Sequence, residues 1–382
     1  MKKLFFLFVV FSFIFAVSCG NDTKSKTNDS EIVSDDENVT DNDSESEDAD
    51  ISDDVVTEEE PEIDEQVDDD VAAVLSCEDV AEGMNKNFIA GEGDSALARD
   101  FIIRLPQNVD SEKGWPVVFL FHGYGDTASN FETVLADEVD NSTMPFILVV
   151  PEARADLFTF GIPPTGLDWD MIVLEDGSAE ADLFDSVLEC VDQKWGVDET
   201  HIHVAGFSAG AITSDSLGVL RPEKIASILT FSGAYFSNPD DRADLGTVMG
   251  MTVGDFFSWP DFAAEHTKYT QVIVSGAEGK DTWSTSGFTI DFNHMANFDA
   301  NYMTGLGHNI ILCNHNGSHT VTGLARQDIV TFFNDHPFGT EVSPYKDGLP
   351  AGWDICEYRD QPVEIIDDSD IIDDSDSEVS DI

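Results

Sequence analysis

Basic residues are scarce in this chain of 382 residues. Lysine and arginine together number 18 against 77 aspartates and glutamates, and the formal net charge is −59. A nucleic acid needs cationic side chains to neutralise its phosphates, so this composition argues against a nucleic-acid partner. A neutral or cationic substrate suits such a surface better than an anionic one.

Cysteine is also rare, and the spacing of the cysteines matches no zinc-binding pattern, so no metal site is predicted from them. Besides Cys19 there are Cys77, Cys190, Cys313 and Cys356. In an exported chain these four are compatible with two disulfides, for which three connectivities exist. We expect Cys77 to pair with Cys356, which would join the two borders of the folded region.

Aromatic residues are missing from residues 20–75, where aspartate, glutamate, serine, asparagine and threonine predominate. Such a segment buries too little apolar surface to offset the entropy lost on ordering. It is predicted to be an acidic disordered tether, and residues 363–382 are predicted to be an acidic disordered tail. Residues 76–362 then form one folded domain, which is long enough to bury a large core.

The first 19 residues have the pattern of a signal peptide. Lys2 and Lys3 precede an apolar run, residues 4–17, that is too short for a flanked membrane span. Cys19 stands where a small-residue cleavage site would lie, so the segment resembles the lipobox of bacterial lipoproteins, which implies lipidation of Cys19. We expect an extracytoplasmic protein that touches a membrane only through this anchor, or one that is secreted without it.

Apolar strands and amphipathic helices alternate along the folded region. This alternation predicts an α/β fold with a mostly parallel sheet and helices on both faces. Residues 235–259 are irregular and are interpreted either as a cap over the site or as a packed surface insertion. The predicted strands are 98–105, 116–121, 146–150, 225–231, 271–275 and 309–313, and the predicted helices are 130–139, 179–195, 292–302 and 324–333.

The strongest motif is the pentapeptide Gly206-Phe207-Ser208-Ala209-Gly210, which lies between a predicted strand and a predicted helix. This setting is the one required by a nucleophile elbow, in which the serine occupies strained backbone space and the glycines permit close packing. An acyl-transfer site also needs backbone donors for the oxyanion. We expect one from Ala209 and another from Tyr124 or Gly125, in the turn after a buried strand.

A nucleophilic serine needs an imidazole to take its proton and a carboxylate to orient the imidazole. The order Ser208, Asp281, His319 is the one expected of α/β-hydrolases. His315 competes for the role of base, and structural hydrogen bonds are expected for other histidines. The competing acids are Glu278, Asp291 and Asp299, and the histidines expected to be structural are His122, His201 and His203.

The segments HGYGD (122–126), GFSAG (206–210), VSG (274–276) and NHNGSHT (314–320) together resemble the extracellular polyhydroxybutyrate depolymerase and feruloyl or acetylxylan esterase group of α/β-hydrolases. The resemblance covers nearly all of residues 98–337. It implies an α/β-hydrolase fold, ester hydrolysis through an acyl-serine intermediate, no metal and no organic cofactor. One departure is that the acid, Asp281, follows its strand in a longer loop than is usual in these relatives.

These observations predict an exported serine esterase that cleaves carboxylic esters. A serine peptidase of the same fold and a non-catalytic surface binding protein remain as alternatives. No carbohydrate-binding or polyester-binding module is visible in the sequence, so a crystalline polymer substrate is not supported.

Overall fold

A computed structural model describes residues 74–363 of the chain, except for 108–113, 155–167, 172–173, 175–176, 239–246, 249–250, 253, 255–256, 258, 264 and 285–288. The predicted signal peptide with Cys19, nearly all of the predicted tether and tail, and much of the irregular segment 235–259 therefore lie outside the described residues.

The central strands of the sheet occur where the sequence has short apolar or alternating runs. Buried strands such as Trp115–Phe121 are apolar throughout because both of their faces are covered. The strands are β1 (Gly83–Ala90), β2 (Leu97–Arg104), β3 (Trp115–Phe121), β4 (Ile147–Pro151), β5 (Val197–Phe207), β6 (Ser227–Phe231), β7 (Thr247–Val248), β8 (Met251–Thr252), β9 (Thr270–Ser275), β10 (Thr282–Ser284), β11 (Thr289–Asp291), β12 (Asn309–Asn314) and β13 (Cys356–Arg359).

Nine of these strands form one sheet in the order β1-β2-β4-β3-β5-β6-β9-β12-β13. The six central strands, from β4 to β12, run parallel to one another. β1, β2 and β13 pair antiparallel at the edges. The mostly parallel sheet expected from the sequence is confirmed, and it brings the carboxyl ends of β3, β5, β6, β9 and β12 to one edge.

Helices cover both faces of the sheet. One core lies against α2, α3 and α4 and takes Phe119 and Phe121 from β3, and a second core lies against α1 and α5 and takes Val118 and Leu120. No helix within the described residues is long and apolar enough to cross a membrane. The helices are α1 (Ala128–Phe131), α2 (Ala179–Trp195), α3 (Ala209–Leu220), α4 (Phe292–Gly305) and α5 (Arg326–Asp335).

The helix predicted for residues 130–139 is wrong as a continuous α-helix. The chain instead forms the short α1 and then two 3₁₀ turns, Glu132–Val134 and Ala136–Glu138. The second core includes Phe131, Leu135 and Val139. Their four-residue spacing is also the spacing of an apolar stripe on an α-helix, which explains the prediction. The tighter backbone therefore buries the same apolar side chains without a regular helix.

The expected pairing of Cys77 with Cys356 is also wrong. Cys77 is bonded to Cys190 on α2, and Cys356 on β13 is bonded to Cys313 on β12. Cys313 and Cys356 are direct neighbours in the register of these two strands. Each border of the domain is thus tied to the element on which it packs, and the two borders are not tied to each other.

Candidate active site

Ser208 lies in the sharp turn between β5 and α3. Its backbone has φ 55° and ψ −120°, a conformation that costs a non-glycine residue about 1–3 kcal/mol. The surrounding structure holds it there: the Ser208 amide donates to the Phe231 carbonyl oxygen at 2.9 Å, and the Ser208 carbonyl accepts the amides of Ala211 and Ile212. The strained nucleophile-elbow geometry expected from the motif is therefore present.

The two motif glycines are required by close approaches of the backbone. A side chain at Gly206 would overlap the Gly210 carbonyl group, and a side chain at Gly210 would overlap the carbonyl oxygens of Phe121 and His122. The second contact places the first turn of α3 directly against the end of β3. It brings the turn after β3 beside Ser208, and a Cβ added at Gly123 would lie 3.4 Å from Ser208 Cβ.

Asp281 and His319, which are 38 residues apart in the sequence, meet through a hydrogen bond of 2.7 Å from His319 Nδ1 to Asp281 Oδ1. The Asp281 side chain is fully buried, and 22% of the His319 side chain is exposed. Because a carboxylate accepts the proton of Nδ1, Nε2 is left as the basic nitrogen of the neutral ring. The pair thus has the arrangement of an oriented general base.

The second oxygen of Asp281 accepts two further hydrogen bonds. The Gly276 amide donates to Oδ2 at 2.7 Å, and the Ser232 hydroxyl donates to it at 2.8 Å. Burial pushes the pKa of Asp281 upward, but the hydrogen bonds from His319, Gly276 and Ser232 outweigh it and leave the pKa below its usual range. The site therefore keeps this buried carboxyl group ionised.

Ser232 was missed by the sequence reasoning. It follows β6 directly and has φ 55°, which aims its side chain toward the acid loop. A serine at the carboxyl end of the strand between β5 and β9 was the available clue, since parallel neighbours end at the same sheet edge.

The loops that carry the acid and the base are joined to each other. The Ala277 amide donates to the Gly317 carbonyl oxygen at 2.9 Å, and the Asp281 amide donates back to the Ala277 carbonyl oxygen at 3.0 Å. At its far end, the Asp281 carbonyl oxygen accepts the Phe292 amide at the start of α4. The longer acid loop noted in the sequence is thus folded into a turn that delivers Asp281 to His319.

Two aromatic rings flank the His319 imidazole. The Phe292 ring is stacked on it with a centroid distance of 4.6 Å, and the Phe207 ring lies at the same distance, tilted by 36°. Phe207 immediately precedes Ser208, so the imidazole lies against the elbow itself. The three residues predicted to act together, Ser208, Asp281 and His319, therefore lie at the same end of the sheet.

The competing residues are engaged elsewhere. His315 Nδ1 accepts the Gly317 amide at 3.1 Å, which shapes its own loop.

Asp291 caps α4 by accepting the amides of Asn293 and His294. Asp299 accepts the Tyr235 amide, and Glu278 is exposed. None of these hydrogen bonds involves His319.

The remaining histidines of the motif regions make structural contacts, as expected. His122 is buried and donates from Nδ1 to the Gly123 carbonyl oxygen at 2.8 Å, while its Nε2 accepts the Ala153 amide. His203 contacts the Ser227 hydroxyl through Nδ1, and burial lowers its pKa well below the usual range. His201 lies beside Thr200 and Asp198.

The turn after β3 offers two candidate oxyanion donors, and one of them is occupied. The Gly125 amide donates to Asp168 Oδ2 at 2.5 Å, so it is engaged and cannot at the same time serve as an oxyanion donor. Burial raises the pKa of the Asp168 carboxyl group. Among the described residues the amides of Tyr124 and Ala209 have no acceptor, and the Ala209 amide is one of the free donors at the start of α3.

Within the described part of the chain, no group of three or more histidine, cysteine, aspartate or glutamate side chains is arranged to hold a metal ion. The expectation that the chain needs no metal and no cofactor stays a prediction.

Comparison with known structures settles the fold. The solved structure of native pOPH superposes with a TM-score of 0.56 at 16% sequence identity, over 76% of this chain and 98% of that one. The chain has the α/β-hydrolase fold. Residues 108–244, which include the turn after β3 and Ser208, match the Phospholipase/Carboxylesterase family model. Asp281 and His319 lie beyond that match.

Curated relatives are esterases. The chain is 25% identical over 155 residues to Probable feruloyl esterase C of Aspergillus terreus, covering 40% of this chain and 53% of that protein. It is 21% identical over 197 residues to Acetylxylan esterase A of Emericella nidulans, covering 49% of this chain and 59% of that protein. The chain thus spans about half the length of the curated relatives it matches.

Proposed function

We propose that this protein is a serine esterase that cleaves carboxylic esters through an acyl-serine intermediate. The observation that carries the proposal is the hydrogen bond between buried Asp281 and His319, beside a serine in the strained elbow conformation. The similarity to esterases supports the class of substrate, and the acidic composition favours a neutral or cationic ester.

In the first step, His319 Nε2 takes the proton of the Ser208 hydroxyl as Oγ attacks the ester carbonyl carbon. The carbonyl oxygen becomes an alkoxide, and we assign the Tyr124 and Ala209 amides as its donors because the Gly125 amide is occupied. Asp281 stabilises the imidazolium that forms. The alkoxide then expels the alcohol, which receives its proton from His319, and the acyl group stays on Ser208.

In the second step, water gives a proton to His319 and attacks the acyl-serine. The same donors hold the second alkoxide, and its collapse releases the carboxylic acid and restores the Ser208 hydroxyl. Each proton moves through one imidazole nitrogen, so the reaction depends on Asp281 holding the other nitrogen protonated.

A fluorophosphonate probe tests the nucleophile. The wild type is expected to be labelled, and Ser208→Ala is expected not to be. Ser216→Ala is the matched control and is expected to be labelled, because Ser216 is a buried serine on α3 whose hydroxyl donates to the Thr213 carbonyl oxygen. In parallel, p-nitrophenyl acetate and butyrate are compared with p-nitroanilides. Faster cleavage of the anilides would indicate a peptidase, and a folded wild type that neither labels nor turns over would refute catalysis.

We further propose that the chain is exported and anchored by a lipid on Cys19, on a tether formed by residues 20–75, with a free acidic tail at 363–382. The support is the arrangement of Lys2, Lys3 and the apolar run before Cys19. Radiolabelled palmitate is expected to enter the wild type and not Cys19→Ala. Equal processing of both forms without label would show ordinary secretion.

A further inference from the structure

Two neighbouring residues, Asp168 and Trp169, contact the turn after β3 and the residue before it. Trp169 Nε1 donates to the His122 carbonyl oxygen at 2.9 Å, and the Trp169 ring centroid lies 4.8 Å from that of His122. Asp168 Oδ2 accepts the Gly125 amide at 2.5 Å. Both residues are buried, and the Trp169 side chain also fills the core.

In a four-residue turn of this kind, the central peptide can have either of two orientations. The Asp126 amide donates to the Gly123 carbonyl oxygen at 3.2 Å, and Gly125, at the third position, has φ 74°. A positive φ at this position is the feature of a type II turn, whereas a type I turn would rotate ψ of Tyr124 by about 150° and reverse the central peptide. The central peptide is the one between Tyr124 and Gly125, and its N–H is the group that Asp168 accepts.

Asp168 adopts an unfavourable conformation to make this contact. Its φ is 64°, and it is 5% exposed, so a buried carboxylate is held in left-handed backbone space. Its own carbonyl oxygen accepts the Arg154 amide at 3.1 Å, which fixes the residue from the β4 side. Backbone strain of this kind persists where surrounding contacts determine the conformation, and it is concentrated at functional sites.

We propose that Asp168 is a positioning residue of the esterase reaction. With Trp169, it holds the backbone on both sides of the Gly123–Tyr124 peptide, whose N–H is the Tyr124 amide that we assign to the oxyanion. This inference rests on the proposed function. A carboxylate cannot itself stabilise a developing alkoxide, so its effect must pass through the Gly125 peptide. Trp169 fixes the residue before the turn, and Asp168 fixes the peptide at its centre.

The test uses the full chain with the variants Asp168→Ala, Asp168→Asn and Gly125→Ala, and p-nitrophenyl butyrate as substrate. Asp168→Ala is expected to lower kcat on the order of tenfold, less than the hundredfold or more lost with an oxyanion donor itself, with KM within about twofold. Asp168→Asn keeps an acceptor and is expected to recover most of the loss. Asp170→Asn is the matched control, because Asp170 accepts the Ala179 amide at α2 and does not contact the turn.

Gly125→Ala opposes the positive φ without altering Asp168, so it is expected to lower kcat as Asp168→Ala does and to replace that variant if it fails to fold. Wild-type kcat in Asp168→Ala, a loss confined to KM, or no recovery in Asp168→Asn would overturn the positioning role. A higher kcat in Asp168→Ala would do so too, since it would mean that Asp168 competes with the oxyanion for the Gly125 amide. A wild type without turnover would remove the proposed function and this role together.

Discussion

Replacement of Asp281 by asparagine isolates the one bond on which the proposed mechanism depends. Asp281 receives three donors: the Gly276 amide and the Ser232 hydroxyl on Oδ2, and His319 Nδ1 on Oδ1. The amide of Gly276 can only donate. In Asp281→Asn the carbonyl oxygen must therefore take the place of Oδ2, and the NH₂ group must face His319.

An NH₂ group facing Nδ1 turns that nitrogen into an acceptor. The ring proton then moves to Nε2, which can no longer take the proton of Ser208, while the shape of the site is unchanged. Loss of the correct tautomer in this way lowers kcat by about 10⁴-fold in other serine hydrolases, which corresponds to about 5 kcal/mol of transition-state stabilisation.

The assay is kcat for p-nitrophenyl butyrate together with the rate of fluorophosphonate labelling, measured on the full chain. Asp192→Asn is the matched control: Asp192 lies in the last turn of α2, and its asparagine can still accept the Val197 amide. Both variants are expected to fold, and only Asp281→Asn is expected to lose activity. If Asp281→Asn kept more than about a tenth of the wild-type kcat, the tautomer argument would be refuted.

Two other predictions follow from buried polar groups. Ser232→Ala removes one hydrogen-bond donor from Asp281 and is expected to raise the pKa of that carboxyl group. As a result, kcat is expected to fall by about tenfold at most, and by more at low pH than at high pH. A pH profile of kcat that is the same in the variant and the wild type would contradict this. Burial lowers the pKa of His336 to about 4, whereas the same side chain in the unfolded chain has a pKa of about 6.5. Between these two values the unfolded chain binds a proton that the folded chain does not, so the free energy of unfolding falls by about 3 kcal/mol as the pH falls from 6.5 to 4. Urea unfolding of His336→Gln should show that much less dependence on pH over this interval, and an equal dependence in both proteins would disprove it.

The elbow could be predicted from the sequence because its causes are local. A strand, two glycines around a serine, and a helix lie within residues 201–217, and each glycine is required by a backbone contact that a Cβ would block. For Asp281 and His319, only the residue type and the order along the chain could be used for the prediction. Their meeting depends on β9 and β12 being parallel neighbours, which the alternation of elements implies.

The residues that support the site were not predictable in this way. Ser232 and Asp281 are 49 residues apart, and Asp168 and Gly125 are 43 apart, so each contact depends on where two loops end. Nothing in the identity of a loop aspartate distinguishes one that accepts a buried amide from the many that face water. The edge strands β1 and β13 were missed for a related reason, since both contain charged or polar residues, only part of β1 is buried, and no residue of β13 is fully buried.

The same network explains how an acidic protein keeps a buried carboxylate ionised. Burial and the repulsion of a strongly negative chain both favour the neutral form of Asp281, yet the pKa of Asp281 is lowered. The opposing groups are an amide, a hydroxyl and an imidazole, and all three are within 2.8 Å of the carboxylate oxygens. Repulsion from distant charges is screened beyond about 8–10 Å in salt, whereas these contacts are buried and short. The ionisation of Asp281 is therefore decided by three local donors, one of which is the hydroxyl of Ser232, a residue held at φ 55°.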